Sequence, residues 1–315
     1  MPRNDPRAQE DARKEVTLRT LLAHAIDYAG LFPPAQLDMP GAVAEYESYL
    51  ASSDAWALGR FVVPAGRLDE LAGVARDATS NPLGAGQAER QLSVVLGADL
   101  AADVERARAF CAHASDRRWW GGIDAVELRA STPDAIREAM RVVPDDFERY
   151  VEIPISADPT PLVRAIGEAG AFAKVRTGGT TTDAFPASDH VARFLATCLR
   201  ESVPFKATAG LHHPLRGEYP LTYEPGSACG QMYGFLNVFL AAAFLADGLD
   251  EADARRLLEE RDPNAVRFGH MDATWRSHRL PVDRLERSRR VLTSFGSCSF
   301  REPIDDLAAL GLLST

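Results

Sequence analysis

Two lysines in neighbouring segments are the residues of this chain whose chemistry stands out. The sequence has three lysines, Lys14, Lys174 and Lys206, against thirty-two arginines. Lys174 and Lys206 lie in the similar runs "KVRTG" and "KATAG", each four residues before a glycine. A lysine amine can lose its proton and attack a carbonyl carbon, whereas an arginine cannot form an imine. The pair therefore predicts an amine nucleophile.

Two carboxylates, Glu127 and Glu152, come late in the predicted fourth and fifth strands. Imine formation needs a general acid/base, and a carboxylate near Lys174 would serve as one. An ion pair that orients Arg129, Lys174 or Arg176 is an equally good interpretation of the same carboxylates.

Other polar side chains accompany the lysines. Arg176 would hold a carboxylate or a phosphate, so a small anionic carbonyl compound is the expected substrate. His212 and His213 follow the seventh predicted strand. Neighbouring side chains seldom both reach one metal ion, so a solvated loop or a substrate contact by His212 is favoured over a zinc site. No metal or other cofactor is expected.

Eight short runs of strand-forming residues alternate with amphipathic helical patterns along the chain. Eight strands with crossover helices predict an α/β fold, a TIM (β/α)8 barrel. An open doubly wound sheet is less favoured, because no GxGxxG follows the first strand. In a barrel both lysines would lie near the C-terminal mouth. The predicted strands are "AIDYAGLF", "LGRFVVP", "RQLSVVLG", "GIDAVELRA", "RYVEIPIS", "AFAKVRTGG", "VPFKATAG" and "RVLTSFGS".

The expected organisation is one barrel domain over residues 16–315, preceded by a flexible tail over residues 1–15. A long segment, about 211–288, separates the seventh and eighth strands, and we interpret it as an inserted lid or oligomerisation element. Its apolar stretch, residues 230–248, predicts a buried helix or a subunit contact. A homodimer is therefore one of the partners to expect.

Charge and composition exclude several classes of protein. The formal net charge of -10 argues against a nucleic-acid binder, which needs a basic face. Four widely spaced cysteines without a CxxC pair favour reduced thiols over a disulfide framework. The first residues lack the apolar core of a signal peptide, and polar residues interrupt the apolar stretch. We expect a cytoplasmic protein without a membrane partner.

Around the two lysines the sequence resembles the deoxyribose-phosphate aldolase family. These class I aldolases fold as TIM barrels and form a Schiff base on a sixth-strand lysine. The family patterns K-T-S-T-G and K-x-S-G-G are similar to "KVRTG" (residues 174–178) and "KATAG" (residues 206–210). The first two strands of the family resemble "DYAGLFPPA" and "RFVVPAGRLDEL". The resemblance implies a lyase of carbohydrate metabolism.

The resemblance also implies roles for individual residues. Lys174 would form the carbinolamine and imine, while Lys206 would make that amine more nucleophilic by like-charge repulsion. Asp124 of "GIDAVEL" is the positional match to the acid that moves protons in the family. Asp124 and Glu127 cannot both face the interior of a regular strand. Glu127 is expected there by its position along the strand, and Asp124 by the resemblance.

The last strand and the helix after it, "SFGSCSFREPIDDLAALG", resemble the closing R-F-G-A-S-S motif of the family. That motif implies an anion site, and a helix N-terminus favours an anion on physical grounds. Two departures, Arg176 for a small hydroxyl residue and Ala209 for a glycine, indicate a substrate other than deoxyribose 5-phosphate. The expected substrate contacts are Asp27, Arg176, Thr177, Gly178, Gly179, His212, Gly296, Ser297 and Ser299.

Three alternatives to a Schiff-base aldolase stay open. The runs "VELRA" and "FGSCSF" resemble motifs of type I dehydroquinate dehydratase, another barrel enzyme with an imine-forming lysine. A metal-dependent isomerase or aldolase would use Glu127, Glu152 and His212. A non-catalytic barrel would bind an anionic metabolite or a partner through the segment between the last two strands.

Overall fold

Eight parallel strands form the centre of the protein in a computed structural model, which describes residues 15–77, 91–114 and 122–313. The strands close into a barrel, and each of the eight predicted runs overlaps one of them. The predicted TIM barrel is confirmed. The barrel strands are β1 (Ile26–Tyr28), β2 (Leu58–Pro64), β3 (Leu92–Val95), β4 (Ala125–Arg129), β5 (Glu148–Glu152), β6 (Phe172–Arg176), β7 (Phe205–Thr208) and β13 (Leu292–Ser297).

Helices cover the outside of the barrel. Each barrel strand is followed by one of them before the next barrel strand begins: α2 (Met39–Leu50), α3 (Leu68–Asp77), α4 (Leu100–Ala114), α5 (Pro133–Val142), α6 (Thr160–Glu168), α7 (Ser188–Arg200), α8 (Phe235–Ala246) and α11 (Arg301–Ala309). Local sequence sets the ends: Thr132 caps α5, with Pro133 as its first residue, and Gly170, at φ +62°, follows α6. One more helix, α1 (residues 15–22), precedes β1. The predicted tail lies outside the described residues except for Glu15, which is helical.

The segment between β7 and β13 contains more than one kind of element. It begins with an antiparallel hairpin, β8 (Gly217–Pro220) and β9 (Cys229–Met232). After α8 come α9 (Glu251–Leu258), a three-stranded sheet and α10 (Val282–Ser288); the sheet consists of β10 (Val266–Phe268), β11 (Asp272–Trp275) and β12 (His278–Pro281). Because α8 packs against α7 and β13, this segment also supplies the seventh helix of the outer layer.

The apolar stretch predicted as a buried helix or subunit contact contains all of α8 and, before it, most of β9. Every residue from Phe235 to Phe244 is buried within the chain, against α7, α9, α10 and β13. Its apolar surface is therefore already covered, and α8 provides no basis for the subunit contact. In the part of the chain that the structure describes, no helix is long and apolar enough to cross a membrane.

Asn237 interrupts the apolar sequence of α8 because it joins three pieces of backbone. Its Nδ2 donates to the carbonyl oxygens of Leu257 at 2.7 Å and Glu260 at 3.0 Å. Its Oδ1 accepts a hydrogen bond from the backbone N–H of Arg216 at 2.7 Å. The side chain is 1% exposed. Asn237 thus attaches the end of α9 and the approach to β8 to the barrel helix.

Replacing Asn237 with alanine should destabilise the protein. The substitution leaves buried backbone groups without partners, so we expect the free energy of unfolding to fall by about 2–4 kcal/mol. Urea denaturation measures this change. The matched control is Asn264→Ala at an exposed position, with an expected change within about 0.5 kcal/mol. Equal effects of the two substitutions would contradict the role assigned to Asn237.

Candidate active site

Strand register brings the two lysines together inside the barrel. β6 pairs with β7 so that Lys174 lies opposite Lys206, and β5 pairs with β6 so that Glu152 lies opposite Lys174. Residues at matching positions of paired strands project to the same face of the sheet. Both lysines are buried, with 6% of Lys174 and 1% of Lys206 exposed. The two similar sequence runs thus place two ammonium groups side by side.

Glu127 of β4 lies between the two lysines. Its Oε2 is 2.8 Å from Lys174 Nζ, and its Oε1 accepts hydrogen bonds from Lys206 Nζ and Ser93 Oγ, both at 2.7 Å. Burial by itself raises the pKa of Glu127, but the two ammonium groups lower it below its ordinary value. The shared carboxylate offsets the like-charge repulsion on which the sequence-based expectation relied.

Asp27 of β1 completes the surroundings of Lys206. Lys206 Nζ donates to Asp27 Oδ2 at 2.5 Å, and Ser294 Oγ donates to the same oxygen at 2.7 Å. The other oxygen of Asp27 accepts the backbone N–H of Arg60 at 2.9 Å. Burial lowers the pKa of Lys206, but Asp27 and Glu127 raise it above its ordinary value. Lys206 is therefore a fixed cation held between two carboxylates.

Glu152 is the second carboxylate beside Lys174. Its Oε2 lies 2.9 Å from Lys174 Nζ, while Oε1 contacts Arg129 Nε at 3.0 Å and Arg176 Nε at 3.3 Å. Burial raises the pKa of Glu152, but Lys174 and Arg176 lower it below its ordinary value. Oε2 is buried, and its contact with Lys174 is not aligned as a hydrogen bond. This oxygen can accept a proton without losing another partner.

A cavity of about 910 Å³ opens at the C-terminal end of the barrel strands. Lys174 lines it together with Glu127 and Lys206, and the hairpin side contributes residues 220–223. Catalytic groups of TIM barrels lie at this end. The expected substrate contacts that line the cavity are Arg176, Gly178, Gly179, His212 and Gly296.

Three expected substrate contacts use their hydroxyl groups within the protein. Thr177 Oγ1 donates to the carbonyl oxygen of Ala209 at 2.8 Å. Ser297 Oγ donates to the carbonyl oxygen of Ser299 at 2.7 Å, and Ser299 Oγ accepts the N–H of Glu302 at 3.2 Å. These hydrogen bonds shape the loops after β6, β7 and β13. None of the three expected contacts is part of the cavity wall.

Asp124 lies away from the two lysines. It precedes β4, at the opposite end of that strand from the cavity, and its Oδ2 accepts the backbone N–H of Leu92 at 2.9 Å. The resemblance implied that Asp124 moves protons, but the structure does not bring it to the site. Glu127, three residues later, is the fourth-strand carboxylate in contact with the lysines.

The residues of the metal-dependent alternative do not converge. Glu127 and Glu152 contact lysines, whereas His212 Nδ1 lies 3.0 Å from Glu302 Oε2. Across residues 15–77, 91–114 and 122–313, no three His, Cys, Asp or Glu side chains form a group that could hold a metal ion. Cys298 and Glu302, which line the cavity beside His212, were not predicted from the sequence. The sequence signal that could have identified them is their spacing, since Cys298 and Glu302 are four residues apart on either side of the start of α11.

Comparison with known proteins adds little to this geometry. The chain is similar to a solved structure of a FabK mutant from Thermotoga maritima, at 17% identity and a TM-score of 0.34. The match covers 72% of this chain and 65% of that one, so the chain spans less than two thirds of that structure's length. No protein-family model and no curated protein matches the sequence. The closed order of eight parallel strands defines the class of fold, a TIM barrel. Its distinguishing feature is a buried network of lysines and carboxylates.

Replacing Glu127 with glutamine should lower stability in a pH-dependent way. Near pH 7 the loss leaves buried ammonium charge uncompensated, so we expect the free energy of unfolding to fall by about 3–5 kcal/mol. A carboxylate with a lowered pKa stabilises the fold above its unfolded-state pKa and loses this effect as the pH falls. The difference in unfolding free energy between wild type and Glu127→Gln should therefore shrink as the pH falls below 4.5, the ordinary pKa of glutamate.

Urea denaturation at several pH values measures this difference. Glu105→Gln, at an exposed position of α4, is the matched control and should parallel wild type throughout. A difference between wild type and Glu127→Gln that stays constant down to about pH 3 would contradict the ionised state of Glu127.

Proposed function

We propose that the protein is a class I lyase, aldolase-like, in which Lys174 forms a Schiff base with a small anionic carbonyl compound. One observation carries this proposal: Lys174 is a buried lysine at a cavity, with a carboxylate oxygen within 2.9 Å of Nζ on each side. Imine chemistry needs an amine that can exchange its proton with a neighbouring group while it contacts a substrate. Lys174 has carboxylates next to its amine for proton exchange and a cavity in which a substrate can reach it.

The first step is transfer of a proton from Lys174 to Glu152. The Oε2 atom of Glu152 is the acceptor, because it is next to Nζ and has no aligned hydrogen bond to give up. The free amine then attacks the carbonyl carbon, and one proton moves from its nitrogen to the carbonyl oxygen. The resulting neutral carbinolamine loses its hydroxyl group as water. Glu152 returns its proton to that departing hydroxyl. The product is a positively charged iminium on Lys174, with Glu152 ionised again.

The second step uses the iminium as an electron sink. When the carbon–carbon bond breaks, its electron pair moves towards nitrogen and leaves an enamine, while the hydroxyl of the departing aldehyde loses a proton. Glu152 is the base for that proton, since its Oε2 has no aligned hydrogen bond, whereas each oxygen of Glu127 is in contact with a lysine ammonium group. Elimination of a hydroxyl group from the same iminium would instead give a dehydratase.

Lys206 acts as a positioning residue in this proposal. Its bonds to Asp27 and Glu127 use its ammonium group inside the barrel, and the side chain is 1% exposed. A fixed cation there keeps Glu127 ionised, and ionised Glu127 orients the amine of Lys174. The two lysines therefore have different functions despite their matching positions on neighbouring strands.

Arg176 provides the preference for an anionic substrate. It lies two residues after Lys174, lines the cavity, and is 43% exposed. Its Nε contacts Glu152, and a planar guanidinium has further N–H groups that suit a carboxylate or phosphate. A substrate carbonyl bound at Lys174 would thus have its anionic group near Arg176.

Borohydride trapping tests the imine. Incubation with pyruvate, glyoxylate or a small aldehyde and borohydride should give a stable adduct on Lys174, located by peptide mass spectrometry. Lys174→Arg should abolish the adduct, because arginine forms no imine. Lys206→Arg keeps a positive charge and should retain the adduct at a reduced rate. Lys14→Arg is the matched control and should behave as wild type.

No adduct with any carbonyl compound would contradict the Schiff-base proposal and favour a barrel that only binds a metabolite. An adduct on Lys206 in place of Lys174 would reverse the assigned roles. Circular dichroism of each variant shows whether a lost adduct reflects loss of the fold.

The anionic preference generates a separate prediction. Pyruvate should be trapped about tenfold faster than its uncharged methyl ester, because a charged contact to Arg176 contributes on the order of 1.4 kcal/mol. Arg176→Gln should remove that difference while leaving trapping of the ester unchanged. The rates come from intact-protein mass spectra over time. Equal preference in wild type and variant would show that another group binds the anion.

A further inference from the structure

A second group of reactive side chains lines the cavity that contains Lys174. Cys298 follows the last residue of β13, and Glu302 lies in the first turn of α11. His212 comes from the loop after β7, the neighbour of β13, and Tyr223 comes from the loop between β8 and β9. The Schiff-base proposal uses none of these four residues. We call them the thiol cluster.

Each of the four side chains of the thiol cluster contacts two of the others. His212 Nδ1 lies 3.0 Å from Glu302 Oε2, and Cys298 Sγ lies 3.9 Å from each ring nitrogen of His212. Tyr223 OH is 3.4 Å from Cys298 Sγ and donates to Glu302 Oε2 at 2.7 Å. A sulfur beside an imidazole that a carboxylate orients is the arrangement of an activated thiol nucleophile.

The charge of the imidazole ring supports this arrangement. Burial lowers the pKa of His212, but its hydrogen bonds to Cys298 and Glu302 raise it to about 10. The ring is therefore positively charged near neutral pH. A positive imidazole stabilises the negative charge that develops on sulfur as a thiol reacts.

The other buried cysteine shows that burial alone does not create this environment. Cys198 lies within α7, and burial is the sole influence on its pKa, which is raised well above the ordinary value. Cys298 is 5% exposed, yet it forms part of the cavity wall, so a small molecule in the cavity can reach it. The two thiols make a matched pair within one chain.

We propose that Cys298, activated by His212 and oriented through Glu302, is a second nucleophile that forms a covalent bond with small α,β-unsaturated carbonyl compounds. The assignment of Cys298 as the nucleophile for this bond depends only on the contacts within the thiol cluster. The carbonyl part of the ligand class rests on the proposed function of Lys174, since amine and thiol line the same cavity. A thiol suits the conjugated carbon of such a compound, and an amine suits its carbonyl carbon.

The addition is balanced without an oxidant or a leaving group. Sulfur forms a bond to the β-carbon, and the electron pair of the carbon–carbon double bond moves to the α-carbon. The α-carbon takes a proton from His212, and the proton of the thiol replaces it on the ring. The thioether product is a saturated carbonyl compound attached to Cys298.

Alkylation by iodoacetamide tests the nucleophile without reference to Lys174. Near pH 7 in the folded protein, Cys298 should react at least about tenfold faster than exposed Cys229, while Cys198 stays unmodified. His212→Asn should slow the reaction of Cys298 by about tenfold or more. Glu302→Gln, which keeps the shape of the side chain, should also slow it. Peptide mass spectrometry measures the rate at each cysteine.

A reaction at Cys298 that is slower than at Cys229, or that is unchanged in both folded variants, would overturn the proposal. If His212→Asn does not fold, the rate in Glu302→Gln decides.

Crotonaldehyde tests the ligand class. It should form a thioether on Cys298 in wild type and in Lys174→Arg alike, without borohydride, which separates this site from the imine. Failure of borohydride trapping with a thioether still present would refute the function of Lys174 only. An absent thioether on Cys298 in both proteins, despite rapid alkylation by iodoacetamide, would overturn the assigned ligand class.

Discussion

Burial of four charged residues beside a fifth that is nearly buried, Glu152, is the constraint on which the site depends. Removing a carboxylate or an ammonium group from water costs several kcal/mol, so each buried charge needs an opposite charge beside it. The barrel meets this requirement with a chain of contacts from Asp27 through Lys206, Glu127 and Lys174 to Glu152. Charges alternate along the chain, which explains why neither lysine can be understood without its carboxylates.

The position of each lysine in that chain decides what it can do. Both lysines line the cavity and lie between two carboxylates, but Lys206 is 1% exposed and donates hydrogen bonds to both of its carboxylates. Lys174 is 6% exposed and lies next to a carboxylate oxygen with no aligned hydrogen bond. Two similar runs, which share the lysine and the final glycine, thus yield a candidate nucleophile in β6 and a fixed cation in β7. Register places them opposite each other. Glu152 on β5, which adjoins β6, and Asp27 on β1, which lies beyond β13 from β7, make their surroundings different.

Local sequence was sufficient to predict the barrel and part of the site. The strand-forming runs predicted all eight barrel strands. The late position of Glu127 in the predicted fourth strand agrees with its place in β4, where it lines the cavity and contacts Lys174. The pairing of Lys206 with Asp27 spans 179 residues and follows only from closure of β1 onto β13. The contact of Cys298 with His212 spans 86 residues and also requires adjacent strand ends. Asp124 was misplaced because a motif match does not fix how far along its strand a residue lies.

The most direct test of the account is competitive reductive methylation of the folded protein with trace formaldehyde and a mild hydride donor. Peptide mass spectrometry then gives the relative rate of imine formation at Lys174 and Lys206. The account predicts that Lys174 reacts at least about tenfold faster, because Lys206 donates hydrogen bonds to both of its carboxylates, whereas Oε2 of Glu152 makes no aligned hydrogen bond with Lys174. Equal rates, or faster reaction at Lys206, would contradict the division of roles between the two lysines.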